Sequence, residues 1–192
     1  MKPEAVRYFV CPGCRGDLVV HAEETDDREI LTGRLECTSC RKSYPVTRGV
    51  PRFASEEQYT DTFGRQWTRW SRTQHDSLNG TTMYRDRMER YTSWKPEGFA
   101  GKVVVDAGCG PGAYLDIVER HATAVIGFDL SQAIDAAYRI HGRHPAIHLA
   151  QADLFAPPIR PAVADRVYTF GVVQHTPDPE RAFRSLIPLV AP

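Results

Sequence analysis

From residue 101 onward, short runs rich in Val, Ile and Ala alternate with stretches whose apolar residues recur at helical spacing. The runs Lys102–Asp106, Ala124–Asp129, Ile147–Gln151 and Arg166–Phe170 predict strands. They show no clear in-and-out alternation, the pattern expected of strands covered on both faces. Between and after them, Ala113–His121, Gln132–His141 and Pro179–Val190 predict helices, and Pro188 predicts a kink in the last. Such alternation predicts a parallel, doubly wound α/β sheet.

Upstream the texture changes twice. Residues 54–100 hold all three tryptophans. There Phe63, Trp67 and Trp70 recur at i, i+4, i+7, and Tyr84, Met88 and Tyr91 repeat that spacing, so each set predicts one helix face. Asn79-Gly80 predicts the turn between the two helices, and Thr81 or Thr82 the cap of the second. Residues 1–53 offer short strand-like pieces, Val6–Val10, Asp17–His21, Glu29–Glu36 and Ser43–Val46, punctuated by cysteines. The expected organisation is therefore three segments, 1–53, 54–100 and 101–192.

The chain has 192 residues, which allows one ordinary domain or a small module joined to a medium one. With 24 basic and 24 acidic side chains its formal net charge is zero, which removes an overall basic field as an argument for nucleic-acid binding. The balance also holds within each segment, so none is a charged tail. No apolar run approaches the ~18–20 residues of a membrane span, and Met1–Arg7 lacks the apolar core of a signal peptide. A reducing, cytoplasmic compartment is expected, where spaced cysteines point to metal rather than disulfides.

Cys11-Pro-Gly-Cys14 and Cys37-Thr-Ser-Cys40 are two C-x2-C knuckles. Each tight loop lets two thiolates converge on one ion, and four sulfurs complete a closed tetrahedral zinc site of structural type. Two redox C-x-x-C motifs are the rival reading. A lobe this small is expected to need its metal to fold, so stripping the ion should collapse residues 1–53 and affect the remainder less. The knuckles, with Ser43–Phe53 behind them, resemble the small zinc-ribbon activator proteins that partner RNA- and protein-modifying methyltransferases. That resemblance implies a protein partner for the ribbon, and by analogy an RNA acceptor, which the charge does not support.

Val103–Asp106 runs into the glycine loop Ala107-Gly108-Cys109-Gly110-Pro111-Gly112-Ala113. Glycines allow the tight turn and close backbone approach to a ligand, and a following helix presents its positive end to anionic groups. On loop pattern alone this fits dinucleotide binding. Asp106 argues otherwise: a carboxylate there would repel a pyrophosphate and suit an ammonium group. Gly112 adds a third glycine at two-residue spacing, and the pattern resembles the first motif of class I methyltransferases that use S-adenosylmethionine. Asp129 follows Gly108 at the distance where an acid meets ribose hydroxyls, although a plain cap for the next helix is also open to it. Asp153 ends the third strand, where the family places an acid against the adenine amine; an ordinary turn residue before Pro157-Pro158 is its alternative. Asp165–Pro179 resembles the motif after the fourth strand of the ubiquinone-biosynthesis-like (type 11) methyltransferases, and the resemblance covers roughly residues 101–190.

What the resemblance implies is a partial doubly wound Rossmann-like sheet of order 3-2-1-4, preceded by a β-rich zinc ribbon and a helical connector. It implies S-adenosylmethionine held by Asp106, Gly108, Gly110, Gly112, Asp129, Leu130, Asp153, Leu154 and Phe170, beside Zn2+ held by Cys11, Cys14, Cys37 and Cys40. The activity implied is methyl transfer to a small molecule or a lipid- or sugar-linked intermediate. A non-catalytic ribbon activator on a truncated scaffold, and a nicotinamide oxidoreductase, are the rivals. Methyl transfer needs mainly alignment, and a general base only if the acceptor must lose a proton. His175, beyond the fourth strand, is the candidate for that role or for orienting its loop, and His75 is a second candidate. Phe63–Trp67 resembles the segment that joins ribbon and methyltransferase in fused bacterial proteins. Asp178 is expected to start the last helix and Cys109 to be a small loop residue. The family continues past this helix with a turn and three more strands, so a C-terminally truncated domain is expected from a chain that stops at Pro192.

Overall fold

The structure is a computed structural model that describes residues 1–54 and 71–192. The set Phe63, Trp67 and Trp70, and the connector motif Phe63–Trp67, lie outside the described residues. The N-terminal part is a four-stranded antiparallel sheet in the order β1 (Leu18–Asp26), β2 (Glu29–Cys37), β3 (Ser43–Thr47), β4 (Val50–Pro51). The C-terminal part is a parallel sheet of β5 (Val103–Ala107), β6 (Ala124–Asp129), β7 (Ile147–Gln151) and β8 (Arg166–Tyr168), in the order β7-β6-β5-β8. This is the expected 3-2-1-4. The chain steps outward from β5 to β7, then returns to the other side of β5. The carboxyl end of β5 is thus the topological switch point, where open α/β sheets bind ligands.

Alternate residues of the strands serve two cores. Val105, Ala107, Ile126, Phe128 and Ala150 pack with Ala5, Tyr8, Phe9 and Leu35 of the N-terminal part and with Ala182 and Leu186 of the last helix. Val104, Val125, Leu149 and Tyr168 pack with Leu115, Val118, Ile134 and Ala137, and with Met88 and Phe99 of the connector. Both faces are covered, as the unalternating strands predicted, but the ribbon itself forms part of one cover. Its tail also borders the outer edge of the sheet: Arg52 bridges Gln151 in parallel, and Phe53 N–H donates to the Gln151 carbonyl (2.8 Å). Among the described residues no strand pairs with the outer side of β8, and no helix is long and apolar enough to cross a membrane.

Several expected elements differ. Val6–Val10 is not a strand; Pro3–Tyr8 forms a 3-10 helix that places Ala5 and Tyr8 in the core. Pro3 pre-sets its first turn, and i→i+3 bonds eclipse positions 5 and 8 on one side. The helix expected over Ala113–His121 shortens to Leu115–Val118, with i→i+3 bonds at both flanks. β8 ends at Tyr168 rather than Phe170. The last helix, Pro179–Leu186, passes at Pro188 into a 3-10 turn, Ile187–Leu189, where the kink was expected. In the connector, Met83–Thr92 is helical with Met88 buried, but Tyr91 is 72% exposed and off the packed face. Thr82 stands at the N-cap position as expected, but its hydroxyl makes no capping bond: it donates to the Asp86 carboxylate, and Asp76 instead receives the N–H groups of Tyr84 (3.3 Å) and Arg85 (2.9 Å). Asp178 caps the last helix as expected, accepting from Arg181 N–H (3.0 Å).

Candidate functional site

The glycine loop hangs on the neighbouring strand. Gly108 and Cys109 N–H both donate to the Phe128 carbonyl, at 2.7 and 3.0 Å. Gly108, Gly110 and Gly112 adopt φ of +80°, +53° and +96°, the left-handed region that favours glycine. Their surroundings differ. A Cβ at Gly108 would meet Val172 at 2.5 Å and one at Gly112 would meet His141 at 2.8 Å, whereas among the described residues nothing lies within 4 Å of one at Gly110. Gly108 and Gly112 are glycines for packing. Gly110 is the one whose face is open.

Asp129 lies beside that open face. One of its oxygens accepts from Gly110 N–H (2.8 Å), the other from Ser131 N–H (2.8 Å) and Ser131 Oγ (2.6 Å). Ser131 Oγ in turn accepts from Ala133 N–H (3.2 Å) at the start of the helix Ala133–His141. Asp129 therefore ties the loop to the helix start, and the oxygen that accepts only from Gly110 keeps acceptor capacity for an incoming hydroxyl. Burial raises its pKa against the three donors that lower it.

Asp106 is 1% exposed and accepts from the Tyr168 hydroxyl at 3.2 Å. Burial pushes its carboxyl up to about 8; the Tyr168 bond opposes this and Asp129 adds to it. Between the ordinary carboxyl value near 4 and about 8, the folded chain holds this proton and the unfolded chain does not, so stability falls as pH rises through that window. Asp106→Asn should remove the fall. Between pH 6 and 8, thermal unfolding of wild type should lose up to about 1.4 kcal/mol per pH unit relative to the variant. Parallel profiles for the two proteins would contradict this.

Asp153 accepts from Phe155 N–H (2.9 Å), the turn geometry of its alternative reading; among the described residues its second oxygen accepts nothing, so the cofactor reading stays open to it. Leu154 is buried, and its carbonyl accepts from Ser185 Oγ (2.6 Å). Leu130 and Phe170 are half-buried. Phe170 stacks on Tyr114 with ring centroids 4.4 Å apart, and Tyr84 of the connector meets Tyr114 edge-on at 5.3 Å. His175 is exposed in the turn Val173–His175, beyond β8 at the same carboxyl end of the sheet. His75 is instead buried, 5.0 Å from the ring of His141, whose Nδ1 bonds the Glu119 carboxylate at 2.8 Å. It is packed inside the molecule, not presented to an acceptor. Cys109 is buried and its thiol is pushed up by burial, which fits a small loop residue. Tyr114 and Tyr168 line this region without having been singled out; Tyr168 lay inside a quoted motif, and Tyr114 two residues past Gly112.

In the ribbon the four cysteine sulfurs all lie within 4.8 Å of one another. Cys11 and Cys40 Sγ are 3.6 Å apart, Cys14 and Cys37 Sγ 3.5 Å. Zn–S bonds of about 2.3 Å would place tetrahedral sulfurs about 3.8 Å apart, so the set fits zinc. The knuckles are built alike. Arg15 and Arg41 follow the second cysteine at φ +65° and +62°, and donate N–H to the carbonyl of the first, Cys11 (2.8 Å) and Cys37 (3.1 Å). Cys11 is drawn down to about 6: burial opposes this, but the Tyr44 hydroxyl and the N–H groups of Cys14 and Gly13 outweigh it. Cys14 receives the N–H of Gly16, which favours its thiolate, yet the crowding thiols of Cys40 and Cys37 push it up to about 12. Four thiols in one small volume resist joint ionisation unless a cation is present.

Residues 105–192 match the model of the methyltransferase domain and residues 9–49 that of the Trm112p-like proteins. A ubiquinone biosynthesis O-methyltransferase of Pseudomonas paraeruginosa is 30% identical over 98 residues, 50% of this chain and 42% of that one. Its counterpart in Pectobacterium carotovorum is 30% identical over 105 residues, 53% of this chain and 44% of that one. The chain thus spans less than half the length of these curated relatives. The fold resembles that of an S-adenosylmethionine-dependent methyltransferase from Aquifex aeolicus, with TM-score 0.52 and 13% identity over 70% of this chain and 69% of that one. A protein of Methanococcus maripaludis assigned to the same class gives TM-score 0.55 and 19% identity, over 72% and 63% of the two chains. The cyclase SpnF gives TM-score 0.51 at 17% identity, over 68% and 56%. The domain model, the relatives, the sheet order and the four-cysteine centre agree on a class I S-adenosylmethionine-dependent methyltransferase domain over residues 105–192, with a Trm112p-like zinc ribbon over residues 9–49 ahead of it.

Proposed function

We propose that the chain binds S-adenosylmethionine over Gly110, at the carboxyl ends of β5 to β8, and serves methyl transfer to a small molecule or a lipid- or sugar-linked intermediate. The observation that carries this reading is the open face of Gly110 with the Asp129 carboxylate beside it, at the switch point of the sheet. The cofactor would supply a methyl group already activated on a sulfonium. The residues of this chain would then bind and align. Asp129 would accept the ribose hydroxyls, and Asp153 with Leu154 would receive the adenine. Asp106 would give its proton to solvent and face the ammonium group. Phe170 and Tyr114 would form an apolar wall. His175 is exposed where an acceptor would approach, and would take a proton from it or hold the loop after β8.

Asp129→Ala should weaken binding of S-adenosylhomocysteine by roughly 10- to 100-fold, the effect of losing hydrogen bonds to a charged acceptor. Asp129→Asn keeps the shape and one acceptor and should lie between. Calorimetry giving equal affinities for all three proteins would refute the ribose assignment.

The Trm112p-like match favours a second reading, a ribbon that serves a separate protein partner. Capture of one defined methyltransferase by a chain without cofactor affinity would support it. The relatives named as ubiquinone biosynthesis O-methyltransferases make an oxygen atom of a small or lipid-linked molecule the first acceptor to test. Four thiols that need to stay reduced for a metal suit a cytoplasmic setting.

A further inference from the structure

The segment after Asp153-Leu154 is poorly equipped to hold itself. Pro157 and Pro158 have no N–H, so the loop cannot knit its own ladder, and its carbonyls need donors from elsewhere. The first zinc knuckle supplies them one after another. The Arg15 guanidinium donates to the Pro157 carbonyl (2.8 Å) and the Ile159 carbonyl (2.6 Å), and Val10 N–H donates to the Pro158 carbonyl between them (2.9 Å). Arg160 N–H returns a bond to the Tyr8 carbonyl (2.8 Å), and Phe9 and Ile159 form an antiparallel bridge with both side chains at 0% exposure. Arg160 also reaches the Asp17 carboxylate (2.8 Å). Three successive carbonyls are thus held by residues 10–15, and Cys11 and Cys14 belong to the same stretch.

We propose that Arg15 is a positioning residue that links the zinc knuckle to the Asp153-Leu154 end of the cofactor site, so that metal occupancy and cofactor affinity are coupled. This rests on the cofactor reading above. The guanidinium is the fitting group for the task. It is a planar fork, permanently charged, and it spans two carbonyls that a single ammonium would have to share. The turn at Arg15 depends on the knuckle, since its N–H bonds the Cys11 carbonyl. Loss of the ion would therefore release the donor and with it the loop.

The test uses the zinc-loaded chain and four variants, Arg15→Ala, Arg15→Lys, Asp153→Ala and Arg15→Ala with Asp153→Ala. Arg15→Ala should keep one zinc per chain. It should bind S-adenosylhomocysteine at least roughly 5-fold more weakly, the lower end of ordinary site-to-site coupling. Amide exchange should quicken over residues 153–160 while residues 103–107 stay protected. Arg15→Lys should recover part of both. In the Asp153→Ala background the Arg15→Ala penalty on affinity should vanish, because the contact it acts through is gone. A merely structural role would leave that penalty in place, which would overturn the proposal, as would unchanged affinity and exchange in Arg15→Ala. If wild type binds no S-adenosylhomocysteine, the cofactor reading itself falls and the proposal with it. Exchange over 153–160 then still reports whether the knuckle holds the loop.

Discussion

Removing the metal with a strong chelator is expected to unfold the chain as one unit, not to melt residues 1–53 alone. The sequence suggested a self-contained ribbon whose loss would leave the remainder less affected. The structure places Tyr8, Phe9 and Leu35 of the ribbon in the same core as Val105, Ile126 and Phe128 of the parallel sheet. Stripping that cover would expose one face of the sheet to water, at roughly 1.5–3 kcal/mol for each large apolar side chain uncovered. Structural zinc contributes about 10–16 kcal/mol to small metallo-domains, as much as the whole net stability of a typical domain, about 5–15 kcal/mol. Polar ties across the boundary reinforce the coupling. Lys2 Nζ donates to the Gly142 (2.6 Å) and Ile147 (3.0 Å) carbonyls, and Arg52 pairs with Asp135 (2.6 Å). Chelation followed by amide exchange should show β5, β6 and β7 losing protection together with β1 to β3. Persistent protection of β5 to β7 in metal-free protein would contradict the shared-core account. Cys37→Ser should act in the same direction.

The second large effect is expected at Gly110. Asparagine tolerates the left-handed conformation better than other non-glycine residues, and a Cβ there meets nothing within 4 Å among the described residues. Gly110→Asn should therefore cost little stability, of the order of 1 kcal/mol. Its side chain would nonetheless occupy the face that Asp129 borders. Cofactor affinity should fall by more than about 100-fold, or at least about 2.7 kcal/mol, while the thermal midpoint moves by only a few degrees. Retained affinity would show that the ligand does not approach over Gly110. The same change at Gly108 is a contrast, not a control, because Val172 already fills that position at 2.5 Å from the added Cβ.

The parallel sheet was legible because its signals are local. Val103–Asp106, Ala124–Asp129 and Ile147–Gln151 are short apolar runs separated by helical periods, and the order 3-2-1-4 was implied by the family resemblance that the motifs on them carry. The metal centre was legible for the same reason, since each knuckle is four residues long. What escaped the sequence depends on pairs far apart in it. Arg15 is an ordinary surface-type arginine until it meets Pro157 and Ile159, and the apolar face of Ala5, Tyr8 and Phe9 says nothing of a partner at Phe128. Pro3 outweighed the β-type residues after it and set a 3-10 turn in place of a strand. At the candidate site, Asp106, Asp129 and Asp153 stood out as acids at strand ends. Tyr168 did not, because its role comes from a hydroxyl aimed at Asp106 from the next strand. The polar stretch around His75 gave no sign of its burial beside His141, which is a tertiary fact.

The measurement that bears most directly on the account is a calorimetric titration of the zinc-loaded chain with S-adenosylhomocysteine, followed by competition with a nicotinamide dinucleotide. The account predicts one binding event per chain that the dinucleotide does not displace. Absence of any binding by S-adenosylhomocysteine to folded protein, or its displacement by the dinucleotide, would contradict it.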